Sequence, residues 1–158
     1  MALQYGTSTA LTITAGSLAS AANRSSSAVT TSTTNNITNI LLTVKVLTTT
    51  TAPSGNKQVI IYGYMSEDGT NYLGASGIVD NVDGTDKALT AIGSPSNLIP
   101  LGTIQLNQGA NAVTFTEVIE VTSRFGCIPP KWGIVLYNDA GTALGATVTA
   151  SYREQYYN

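Results

Sequence analysis

The chain has no histidine, one cysteine, one tryptophan, and only seven Lys and Arg against nine Asp and Glu in 158 residues. Charged residues make up 10% of it, against about 25% in an ordinary soluble domain. Without His, neither a Ser-His-Asp nor a Cys-His pair can form, which excludes those routes to nucleophilic catalysis. Zinc is left with Cys127 as its one soft ligand. The same lone Cys cannot close an intrachain disulfide, and with no imidazole to activate it, it reads as a structural thiol. No GxxxxGK or GxGxxG phosphate loop is present. No apolar run approaches the roughly 20 residues needed to span a bilayer. Met1-Ala2-Leu3-Gln4-Tyr5 lacks the charged and apolar regions of a signal peptide. A soluble protein made in a cytoplasm is expected, with no membrane partner. Arg24, Lys45, Lys57, Lys87, Arg124, Lys131 and Arg153 are spread along the chain and form no basic run. Binding to nucleic acid by phosphate neutralisation is therefore not expected.

What is present is a large apolar share, 42%, set among Ser, Thr and Asn. A chain of this length buries about 68% of its unfolded surface, enough for a core without disulfides or metals. One β-sandwich domain over residues 9–158, ending in a C-terminal tail, is expected behind an N-terminal arm, residues 1–8. Thr, Val, Ile and Tyr fill the ordered-looking segments, and Gly, Asn, Asp, Ser and Pro separate them. Strands are expected over residues 9–14, 25–31, 39–49, 58–66, 88–91, 98–106, 112–121, 132–138 and 146–155. Eight or nine strands at this spacing predict an all-β antiparallel sandwich with minimal helix.

Two segments show the period of a half-buried strand. Ile40, Leu42, Val44 and Val46 share one face, with Thr43 and Lys45 opposite. Val148, Ala150 and Tyr152 alternate with Thr147, Thr149, Ser151 and Arg153. Val59-Ile60-Ile61-Tyr62 is apolar on both faces, so it is either a central strand covered twice or a strand that meets a partner. Single helical turns are expected at residues 121–125, before Gly126, and at residues 17–23. Neither is long enough to stand alone.

Asp80, Asp83 and Asp86 surround Gly84 in an oxygen-rich loop that could suit calcium, although Asp-Gly is also an ordinary turn signal. Glu67-Asp68-Gly69-Thr70-Asn71 reads as a hairpin turn. Glu117 and Glu120 are the close acidic pair within one strand, and a separation of three puts them on opposite faces. Glu117 then shares a face with Phe115 and Ile119, which calls for a bulge that turns it outward or for a base such as Arg124. Of the eight Tyr, Tyr5, Tyr156 and Tyr157 lie near the termini and are the candidate partner interface. No cofactor is implied.

Phe125-Gly126-Cys127-Ile128-Pro129-Pro130-Lys131-Trp132-Gly133-Ile134-Val135 resembles a segment of small β-sandwich structural proteins of tailed bacteriophages. Ser20-Ala21-Ala22-Asn23-Arg24-Ser25 and Tyr62-Gly63-Tyr64-Met65-Ser66-Glu67-Asp68-Gly69-Thr70-Asn71-Tyr72 extend the resemblance, in order, over most of the chain. It points most toward head decoration (cement) proteins of jelly-roll type. The motifs are turn and core residues, not a chemical site. Pro129-Pro130 stops any helix and sets an extended lead-in, after which Trp132 and Ile134 point into the core. The resemblance implies a non-enzymatic virion component on the capsid surface, assembled in a host cytoplasm. Its partner would be the major capsid protein, bound as a homo-oligomer or symmetric array. The alternative is a carbohydrate- or receptor-binding module of a tail or head fibre.

Overall fold

A computed structural model describes residues 2–72, 82–89 and 98–158. Ten strands and one helical turn follow in order: β1 (Leu3–Tyr5), β2 (Thr9–Leu11), β3 (Asn23–Ser25), β4 (Val29–Thr30), β5 (Ile37–Thr48), β6 (Gln58–Ser66), β7 (Ile99–Gln105), β8 (Thr114–Glu120), α1 (Val121–Phe125), β9 (Lys131–Asp139) and β10 (Leu144–Tyr157). They build two antiparallel sheets. In sheet A, β1 and β2 lie along one side of β10, with β5 and then β8 on the other. In sheet B, β3 and β4 share one side of β9, followed by β6 and β7. The pairs nest along the chain: β2 with β10, β3 with β9, β5 with β8, β6 with β7. A long antiparallel ribbon rolled so that its strands are shared between two sheets is a jelly roll. The expected all-β antiparallel sandwich is therefore the observed fold.

The core lies between the sheets. Ile40, Leu42, Val44 and Val46 on β5 are fully buried and face Val59 and Ile61 of β6 and Trp132, Ile134 and Leu136 of β9 within one cluster. Full burial of each such aliphatic side chain contributes about 1.5–3 kcal/mol. A second cluster covers the far face of sheet B, where Tyr64 and Val135 pack with Tyr72, Val82, Leu89 and Leu98. The doubly apolar run is thereby explained. β6 is an inner strand between β9 and β7, with Val59 and Ile61 in the main core and Tyr62 against the second cluster.

Local chemistry accounts for the departures from expectation. The turn at Val121–Phe125 forms and ends on Gly126, whose φ of 75° lets its N–H bond Thr122 O at 2.9 Å. The Ala-rich stretch 17–23 makes tight turns instead of a helix, with Ser17 and Ala21 at positive φ. Asn138 supplies the competing partners. Its Nδ2 donates to Leu18 O and Thr142 O at 2.9 and 2.8 Å, while its backbone pairs with Ala21 and Ala22. The expected strand at 25–31 is split into β3 and β4 because Ser26, Ser27 and Ala28 bond three different segments, at Ile134, Thr12 and Gly84. In the expected strand 88–91, Ala88 and Leu89 belong to no strand, and residues 90 and 91 lie outside the described residues.

The terminal segments expected as arm and tail are paired with one another. Leu3, Gln4 and Tyr5 of β1 lie opposite Tyr157, Tyr156 and Gln155 of β10. Ala2 and Asn158 close the ladder with hydrogen bonds at 3.1 and 3.3 Å.

Candidate docking face

Part of the segments that carry the phage-protein resemblance meets in one packed node. Trp132 is fully buried. Tyr64, also fully buried, lies over Gly133 and donates its hydroxyl proton to Ser26 O at 2.6 Å. Ser26 Oγ in turn accepts from Ile134 N at 3.0 Å. Phe125 packs against Gly63, where any Cβ would meet its ring. Packing and hydrogen bonding explain these choices, whereas Cys127 and Ile128 of the same segment are exposed.

The acidic candidates are engaged with neighbouring groups. Asp86 takes a salt bridge from Arg24 Nε at 2.6 Å and a hydrogen bond from Thr14 Oγ1 at 2.5 Å. Asp83 is bridged by Lys87 Nζ at 2.6 Å and accepts from Thr85. Asp80 lies outside the described residues. Asp68 caps its own turn, accepting from the backbone N–H of Thr70 and Asn71 and from the side chains of Asn71 and Ser66.

These contacts set a pH dependence. Burial raises the carboxyls of Asp86 and Asp83, but hydrogen bonds outweigh it and leave both below the ordinary range. The bonds come from Arg24 and Thr14 in one case, and from Lys87 and Thr85 in the other. Exposed Asp68 is held low by the N–H groups of Asn71 and Thr70 and by the Asn71 amide. A depressed carboxyl favours the folded state above its unfolded pKa, about 3.9, and loses that contribution as pH falls through its native value. The melting temperature should therefore fall on acidification below about pH 4. Asp86→Asn should lower it at neutral pH and flatten the acid limb. A melting temperature constant down to about pH 2 would contradict this assignment.

Glu117 stays on the inward face of β8, because the register with β5 runs without a shift from Leu41↔Glu120 to Leu47↔Thr114. No bulge turns it outward. It is half-buried at the open side of the sandwich and lines a cleft of about 390 Å³ with Arg124, Ser123 and Gly102. Among the described residues it has no ion pair.

Tyr5 and Tyr157 occupy the outer face of sheet A, whereas Tyr156, opposite Ile37, turns to the other face beside Tyr152 and Glu154. Tyr5 and Tyr157 are 56% and 48% exposed, and Tyr156 is half-buried. The register extends the outer face beyond Tyr5 and Tyr157. Since Ile40 and Leu42 point inward, Leu41, Thr43 and Lys45 point outward, as do Arg153 and Ser151 opposite Leu41 and Thr43. On β8, Val118 lies opposite Thr43 and is 60% exposed. A shallow groove of about 370 Å³ runs across these strands, bordered by Tyr5, Leu41, Lys45, Val118 and Arg153. The two sheets thus differ: the second cluster covers part of sheet B's outer face, whereas sheet A's bears Leu3, Tyr5, Val118 and Tyr157 in the open. Val118 and Leu41 carried no distinguishing signal in the sequence, because either residue fits a buried strand position equally well.

Comparison of the chain with protein-family models and with curated proteins finds no match to either. The resemblance to phage head proteins rests on the sequence motifs alone.

Proposed function

We propose that this protein is a non-enzymatic structural binding module, a decoration protein that lays the outer face of sheet A against the outside of a bacteriophage head. The observation that carries the docking reading is the open face itself. Four large apolar side chains, Leu3, Tyr5, Val118 and Tyr157, stand exposed on one side of one sheet. Apolar surface gathered in this way marks an interaction site, where scattered single residues would need no explanation. The motif resemblance supplies the shell as partner. Stabilisation of the shell would come from many modest contacts repeated across its lattice.

Co-sedimentation with undecorated capsids tests this reading. Wild-type protein should pellet with the shells at saturable stoichiometry. Tyr5→Ser combined with Val118→Ser should weaken binding about tenfold or more, since truncating buried interface anchors costs roughly 1–2 kcal/mol each. Both side chains are exposed in the free protein, so its melting temperature should hardly move. Absence of wild-type protein from the pellet would reject the shell as partner.

A further inference from the structure

On that docking reading, we infer that the partner surface is acidic: an apolar patch flanked by two carboxylates that meet Lys45 and Arg153. The chain as a whole carries a net charge of −2, yet this face is cationic. Lys45 and Arg153 both point outward from sheet A, and Glu120, at the rim opposite Leu41, is the one outward carboxylate on its strands. Elsewhere Arg24 and Lys87 are spent on Asp86 and Asp83, and Lys131 donates to Gly69 O beside the Tyr72 ring. Lys45 and Arg153 make no ion pair among the described residues, and neither do Lys57 and Arg124.

Covering the groove strips water from both cations. Left without counter-charges, their desolvation outweighs the apolar area gained, so a stable occupant must bring anions to both places. Arg153 lies opposite Leu41, four residues along β5 from Lys45. At about 3.3 Å per residue and 4.8 Å between strands, the two Cα atoms stand roughly 14 Å apart. Leu41 and Val118 lie in the groove with them and require apolar contact. Arg153 can hold a carboxylate through two parallel N–H bonds, while Lys45 acts as a point charge. Two cations are too few to track a nucleic-acid backbone, which favours a protein surface. Four residues along each of four strands span roughly 250 Å², about a third of the ~800 Å² that each side of a standard stable interface buries. Correct charge register therefore decides which surface is held.

Charge reversal on this face, set against a reversal elsewhere on the surface, is the test. Lys45→Glu with Arg153→Glu should lose about tenfold or more in binding to undecorated capsids, and high salt should weaken the wild type. Lys57→Glu, in the exposed turn before β6, should bind as wild type. A second measurement needs no capsid: isotope-labelled protein titrated with poly-glutamate should show amide shifts concentrated at residues 41–45 and 151–153. Wild-type failure on capsids with those shifts present would reject the shell and keep the acidic-partner inference. Shifts that are absent or lie elsewhere would overturn the inference. So would reversal variants that bind capsids like Lys57→Glu, or an RNA homopolymer that shifts the face as strongly as poly-glutamate.

Discussion

Trp132→Ala is expected to lower the unfolding free energy by about 3–5 kcal/mol, the usual cost of truncating a buried aromatic. Trp132 is fully buried on β9 in sheet B, and its ring meets the edge of Tyr152 on β10 in sheet A, with centroids 5.4 Å apart at 79°. It therefore joins the two layers. An edge-to-face pair adds about 0.5–1.5 kcal/mol beyond the area buried. The indole N–H has no hydrogen-bond partner among the described residues, so the lost contribution is packing alone. Trp132→Phe keeps a ring against Tyr152 and removes that orphan donor, and should cost well under half as much. Denaturant unfolding followed by far-UV circular dichroism measures both, since either variant removes the only tryptophan fluorophore. An alanine variant that unfolds at the wild-type midpoint would place Trp132 outside the load shared by the sheets.

How far the fold could be read in advance follows from the range over which each signal acts. Period-2 alternation is local, and it located the inward set on β5, as the doubly apolar run Val59–Tyr62 located β6 at Gln58–Ser66. Gly126 after Val121–Phe125 is equally local and marked the helical turn. Partner choice is not local. Nothing near Leu3–Tyr5 indicates that its hydrogen bonds go to Gln155–Tyr157 at the other end of the chain. Asn138 looks like any strand polar residue, but its side chain organises a turn 120 positions away at Leu18. The second cluster joins Tyr64 and Val135 to Tyr72, Val82 and Leu89 across the sheet, contacts that create no periodicity. The candidate interface shows the same division. Terminal tyrosines are conspicuous by position, whereas Leu41, Val118, Lys45 and Arg153 become one surface only through the registers of β5 with β8 and β10.

The same registers bear on the rival sugar-binding reading. An aromatic row across a concave sheet would favour it, and extended termini with a broad apolar edge would favour shell docking. Tyr5 and Tyr157 stand together at one end of sheet A, with Leu41, Val118 and hydroxyl residues filling the remainder of the groove. The termini are folded back into the sheet, so the extended arms that would favour shell docking are not there, and the comparison rests on the apolar surface. Apolar contact is thus spread over the face in a form better suited to a protein surface than to a stacked saccharide.

Gly133→Ala should be strongly damaging for a single added methyl. A Cβ at this position would overlap Tyr64 Oη and approach Ser26 Oγ at 2.8 Å. Tyr64 and Ser26 are both fully buried, so neither can move aside into solvent. Overpacking of a closed site costs about 1–3 kcal/mol. Displacing the Tyr64 ring also breaks its 2.6 Å bond to Ser26 O and strands a buried hydroxyl, adding about 1–3 kcal/mol. The two together should remove roughly 2–6 kcal/mol, a large part of the 5–15 kcal/mol that stabilises a typical domain. Gly109→Ala is the matched control, because nothing lies within 4 Å of its Cβ position, and it should change stability by no more than about 0.5 kcal/mol. Equilibrium denaturation of both variants decides the matter. Because Gly133 sits inside the Lys131–Val135 motif, a collapse of the Gly133 variant alone would show that this motif is held by packing. Equal stability of the two variants would mean that Tyr64 can be repositioned freely, and the motif would then need another explanation.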